Sequence, residues 1–170
     1  MNIQNFINGC LAVCITLLIF NTFENKDKIT ELENALDNLN KLQIKSAYMK
    51  YIDDFIANDF EGIASHFEPP VNFDSFGPIA ETNEEVINQY KDLKANIQEG
   101  YAYSIIDDIG VQKIKKNKYL VCADYTRYNN NDEQLYQGRT HYMYIATSNG
   151  WKMNSLESKE RLREKSCQNL

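Results

Sequence analysis

The chain has 170 residues and a mass of 19.8 kDa, the size of one ordinary domain with appendages. Its composition, 43% hydrophobic and 25% charged, is that of a folded rather than a disordered protein. A formal net charge of -6 argues against a nucleic-acid partner, which needs clustered Lys and Arg to neutralise phosphates.

In chain order, residues 1–23 carry no charged side chain, and 6–23 read as an apolar helix. At about 1.5 Å per residue that helix just crosses a bilayer's hydrocarbon. The pattern predicts an uncleaved membrane anchor, with an apolar helix docked on the domain or a partner as an alternative. A signal peptide fits less well, because there is no basic leader and no small-x-small site after the apolar run. Glu24, Lys26, Asp27 and Lys28 cancel, so charge does not set an orientation. Residues 24–42 form a helical stalk in this reading, with a short dimer seam or an extension of the next helix as alternatives. Ile29, Leu32, Leu36 and Leu39 fall on one stripe, but two heptads are fewer than a coiled-coil assignment requires.

Residues 43–158 are the expected globular body. Ile44, Ala47, Tyr48, Tyr51, Ile52, Phe55 and Ile56 recur at helical spacing, and Phe60 to Phe67 reads as a second, short helix. Pro69 and Pro70 are expected to end it. Val71 to Phe76 then alternates like a strand. Thr82 and Glu85 make a capping-box start for a third helix that stops by Gly100. Four strand-like runs follow, Tyr101 to Ile114, Tyr119 to Tyr128, Tyr136 to Thr147 and Trp151 to Leu156, with Asn149-Gly150 as a hairpin signal. Consecutive strands with short turns predict an antiparallel meander and an α+β class. The charged segment 159–170 reads as a frayed helix or a disordered tail.

Cysteine spacing shows no framework: Cys10, Cys14, Cys122 and Cys167 include no C-x-x-C pair and no zinc signature. Cys122 reads as a small core residue, and the redox compartment stays open. Lys113 to Lys118 reads as a solvated hairpin tip. There is no Gly-rich phosphate loop and no Gly-x-Ser-x-Gly elbow, which argues against nucleotide hydrolysis and serine-hydrolase chemistry. Neither a cofactor nor a metal is implied.

The passage Phe55-x-x-x-Asp59-Phe60-Glu61-Gly62-Ile63-Ala64-x-x-Phe67, the order of elements, and the closing Gly150-Trp151-Lys152-Met153 strand resemble the nuclear-transport-factor-2-like superfamily, known also through its SnoaL-like members. The resemblance covers residues 43–158. It implies a cone-like domain in which three helices pack on a strongly curved, mainly antiparallel sheet, with one open end and often a homodimer through the sheet's outer face. Some enzymes of the superfamily use His and Asp as an acid–base pair on carbon acids or alcohols.

If the cone holds a small apolar or half-polar ligand, the first helix and the inward sheet face line it. The candidates are Tyr48, Tyr51, Phe55, Tyr125, Arg127, Tyr144 and Trp151. On the third of the five strands, Leu120, Cys122, Asp124, Thr126 and Tyr128 share one face and Tyr119, Val121, Ala123, Tyr125 and Arg127 the other. Asp124 is the anomaly, since an unpaired buried carboxylate is costly. It is a general base paired with His66 or His141, one half of a cross-strand ion pair with Arg139 or Arg127, or simply exposed on the outer face. Asp54 is a second possible partner for a histidine. The reading favours non-catalytic ligand binding or association over a cofactor-free lyase or isomerase. A structural interaction module is the third alternative.

Overall fold

Two compact units, Met1–Asn40 and Lys41–Leu170, divide the chain, and helix α1 (Ile3–Ala57) contributes residues to both. The computed structural model describes the backbone of residues 3–161 and 165–169, with side chains over 25–161 and 165–168. In the first unit Ile29, Leu32, Leu36 and Leu39 form an exposed stripe. Among the described residues no helix is long and apolar enough to cross a membrane. The expected anchor, 6–23, lies outside the residues whose side chains are described.

In the second unit α1 buries Ile44, Tyr48, Tyr51, Ile52 and Phe55, the single face that their spacing defines. The helix ends at Asn58, whose φ of 58° is a left-handed conformation that Asn tolerates. The Asp59 carboxylate accepts the Gly62 amide at 2.9 Å and starts α2 (Phe60–Ser65). Strand β1 (Phe67–Asn72) contains both prolines, so they do not separate helix from strand as expected. The sheet order is β1-β5-β4-β3-β2, which makes β1 an edge strand. Proline is tolerated there because the outward amides have no ladder partner to lose. The expected strand after Asn72 is instead a 3-10 turn, Asp74–Phe76. Thr82 caps α3 (Asn83–Ala95), accepting the Glu85 amide at 3.2 Å, while the Glu85 carboxylate reaches back to the Glu81 amide.

Strands β2 (Tyr103–Lys115), β3 (Lys118–Tyr128), β4 (Gln134–Thr147) and β5 (Gly150–Lys159) form the antiparallel meander, with β1 added parallel to β5. The result is the α+β cone: three helices on a mainly antiparallel five-stranded sheet. Tyr119, Val121, Ala123 and Tyr125 of β3, Tyr142 and Tyr144 of β4, and Met153 and Leu156 of β5 form the buried inner face against the helices.

The outer face departs most from expectation. A register shift between Ile106 and Asp108 leaves Asp107 as an extra residue in β2, so two successive carboxylates serve the outer face. Asp107 accepts Thr126 Oγ1 and Arg161 Nη1. Asp108 accepts Ser166 Oγ at 2.6 Å, the Cys167 amide at 2.8 Å and Gln168 Nε2 at 3.0 Å. Cys167 is disulfide-bonded to Cys122, with Cα atoms 5.3 Å apart. The described end of the chain is therefore a strap fastened to β2 and β3, not a frayed tail, and Cys122 is a crosslink rather than a plain core residue. Gly110 makes the strap possible: a Cβ there would lie 1.7 Å from the Cys167 carbonyl oxygen.

Candidate functional site

Two cavities open where the ends of β2, β3 and β4 meet α3. The wider, about 400 Å³, is lined by Ser75, Phe76, Asp92, Leu93, Asn96, Ile97, Gln98, Tyr125, Arg127, Tyr136 and Ser158. The narrower, about 40 Å³, shares Phe76, Leu93, Tyr125 and Arg127 with it and reaches Tyr48, Tyr51, Phe55, Tyr90, Thr140 and Tyr142. Forty cubic ångströms admits water or the tip of a ligand, not a whole substrate. The wide cavity is the mouth of the cone and the narrow one its floor.

Tyrosine rings build that floor. Tyr48 lies 5.2 Å from Tyr142 between ring centroids, and the Tyr51 and Tyr90 hydroxyls share a hydrogen bond of 2.9 Å. Burial, followed by neighbouring tyrosines, pushes the pKa values of Tyr48, Tyr51, Tyr90 and Tyr142 well above the ordinary phenol value. These hydroxyls therefore stay neutral hydrogen-bonding groups. The Tyr48 hydroxyl is buried beside Tyr142 and makes no hydrogen bond of standard geometry.

Arg127 dominates the mouth. Its guanidinium lies 5.1 Å from the Tyr125 ring centroid, 5.5 Å from Tyr136 and 5.8 Å from Tyr101. Nη1 donates to Gln98 Oε1 at 2.7 Å. Lys94 Nζ sits 4.5 Å from the same Tyr101 centroid and donates to the Phe55 carbonyl at 2.9 Å. Burial and the nearby Arg127 charge lower the Lys94 pKa to about 8.

Of the seven lining candidates, Tyr48, Tyr51, Phe55, Tyr125 and Arg127 line these cavities. Tyr144 and Trp151 do not. Tyr144 pairs with Tyr119 and Met153, and Trp151 packs edge-on against Tyr119, all at the opposite end of the strands. Sequence reasoning missed Gly138. Its position opposite Tyr125 leaves room for that ring, since a Cβ there would lie 2.5 Å from the Tyr125 hydroxyl. Lys94, Gln98, Phe76 and Tyr136 were missed as well; an exposed aromatic beside a helix end carries no spacing signal.

The expected acid–base pair does not assemble in the cone. Asp124 points outward, where Arg139 Nε and Nη2 grip its two oxygens at 2.6 and 2.8 Å. The cross-strand ion pair is the reading the structure supports, because the one-to-one β3–β4 register sets Asp124 opposite Arg139. His141 lies on that same outer face, and burial, then Lys159, lowers its pKa. His66 does meet Asp54, Nε2 to Oδ2 at 2.7 Å, but neither residue lines either cavity. That pair ties the end of α2 to α1.

Among the described residues, one group of metal-ligand type comes together: Cys122, Asp124 and Cys167 have donor atoms within 4.8 Å of one another. Both sulfurs are spent in the disulfide and Asp124 is held by Arg139, so the group does not fit a metal.

Residues 40–161 match the family described as NTF2-like protein (DUF6841). No curated protein sequence matches the chain. Solved structures share the fold at low identity. A dehydratase candidate of the NTF2-like family from Streptomyces avermitilis is 18% identical over 74% of this chain and 99% of its own, with a TM-score of 0.58. A Nostoc punctiforme protein with a cystatin-like fold is 14% identical over 73% and 94%, also at 0.58. A Catenulispora acidiphila protein in complex with S-DNPA is 8% identical over 69% and 90%, at 0.55.

Proposed function

We propose, from the premise that the chain belongs to the NTF2-like protein family DUF6841, that its cone binds a small, half-polar ligand without transforming it. The observation that carries this is a mouth of about 400 Å³ whose lining holds a cation and aromatic rings, while Asp124 and His66 are paired away from it and His141 lies on the outer face. A ligand of modest size would rest in the mouth and touch the tyrosine floor with one end. The complex of the Catenulispora acidiphila relative with S-DNPA lends support by fold alone. The test is native mass spectrometry of the full chain purified without denaturation. A discrete small-molecule mass should accompany the wild type and be lost in Leu93→Trp, which fills the mouth. Equal occupancy of both would place any bound molecule elsewhere.

The proposal extends to location and assembly. The disulfide supports an oxidising compartment for the folded unit, with segment 6–23 as a membrane tether. Alkylation of cell lysates before any reduction should leave Cys122 and Cys167 unmodified; modification of both would sink that placement. A homodimer through the sheet would use β4 and β5, since the strap covers β2 and β3. Met143 and Ile145 of β4 supply half-buried apolar surface there. Sedimentation of a Met143→Arg variant tests it, with an unchanged oligomeric state counting against this face.

A further inference from the structure

We infer that the ligand of the cone's mouth carries a carboxylate received by Arg127, an assignment that rests on the ligand-binding reading above. Three arginines have described side chains: Arg127, Arg139 and Arg161. Arg139 holds Asp124 through both Nε and Nη2, and Arg161 pairs with Asp107. Arg127 forms no ion pair among the described residues. Its Nη1 bond goes to a neutral amide, and its Nε is buried with no acceptor.

The surroundings add positive charge rather than compensating it. Lys94 shares the Tyr101 ring with Arg127 and also has no carboxylate partner among the described residues. Tyr101 and Tyr125 bring no negative charge, because burial raises both their pKa values. Asp92 lines the mouth but is exposed and pairs with neither cation. A chain of net charge -6 thus presents Arg127, unpaired with any described carboxylate, in the wall of the wide cavity, with Lys94 over the same Tyr101 ring. Partly desolvated charge of this kind is costly until an anion arrives. The two oxygens of a carboxylate match the planar guanidinium fork, and a single negative charge suits a wall shared with aromatic rings.

The rest of the ligand is read from the walls. Phe76 and Tyr136 are each 38% exposed and both line the mouth. Rings left open to solvent on the wall of a cavity suit a flat apolar body stacked against them. The ligand class is therefore an amphipathic carboxylic acid with a planar apolar frame.

Isothermal titration of the full chain with 2-naphthoate and with its uncharged counterpart 2-naphthamide tests this. The acid should bind about tenfold to a hundredfold more tightly, the span of a charge-assisted hydrogen-bond pair. Arg127→Gln should erase that preference, and Arg127→Lys should retain part of it. Equal affinity for acid and amide in the wild type would overturn the carboxylate while leaving the ligand-binding reading intact. A preference that survives in Arg127→Gln would overturn the assignment to Arg127. Binding of neither compound at millimolar concentration would overturn the ligand-binding reading and this inference with it.

Discussion

Replacing Cys167 by Ser should cost the folded unit about 4 kcal/mol. The disulfide joins residues 45 apart in sequence, and loop-closure entropy for a ring of that size is worth about 4 kcal/mol at 25 °C. The strap's contacts should go with it. Asp108 loses donors from Ser166, the Cys167 amide and Gln168, and Arg139 loses the Lys165 carbonyl that it reaches at 2.6 Å. Removing the strap also opens the Asp124–Arg139 pair to water, which relieves part of its desolvation, so the net loss should stay near the entropic figure. Urea unfolding reads this directly: with a slope of about 2 kcal/mol/M the midpoint should fall by about 2 M. Reduced wild type and Cys167→Ser should coincide. A Cys167→Ser midpoint equal to that of oxidised wild type would refute the strap as a stabilising element. A loss on reduction that Cys167→Ser does not reproduce would move the effect to another cysteine.

Other expectations concern the mouth and the outer face separately. Gly138→Ala places a Cβ against the Tyr125 ring; overpacking of this kind should cost about 1–3 kcal/mol and weaken 2-naphthoate binding, measured by thermal unfolding and titration. Arg139→Met strands the buried Asp124 charge with only the Arg161 Nε at 3.7 Å nearby, which should cost about 3 kcal/mol in urea while leaving 2-naphthoate affinity unchanged. Lys94 has a folded pKa of about 8 against 10.5 for the free side chain. Between those values the unfolded chain holds a proton that the folded chain has released, so this residue's contribution to stability rises with pH across that window. The thermal midpoint of Lys94→Met relative to wild type should accordingly fall from pH 8 to pH 10; a constant difference would contradict the assignment.

Periodicity carried the element order because the signals were local. The α1 stripe from Ile44 to Phe55, the Thr82 cap and the Asn149-Gly150 hairpin each depend on neighbours a few residues away. Alternation also separated the two faces of β3, with Tyr125 and Arg127 on one and Asp124 on the other, without saying which faces the helices. What it could not reach was long-range. The bulge at Asp107 offsets β2 by one residue, so counting along the strand assigns Asp107 and Asp108 to opposite faces although both serve the outer one. Cys122 and Cys167 have no spacing rule between them, and only the folded sheet brings their Cα atoms within bonding range. Tyr144 and Trp151 lie on the inward side but at the wrong end of the strands. Alternation reports the face of a residue and not its height in the cone.

The central claim is that a ligand occupies the cone's mouth at Arg127. Amide chemical-shift mapping of the full chain titrated with 2-naphthoate tests it most directly. Saturable shifts should concentrate at Leu93, Gln98, Tyr125, Arg127 and Tyr136, which line the wide cavity. Shifts centred instead on Asp108, Asp124 and Arg139 would place binding on the outer face and contradict the account.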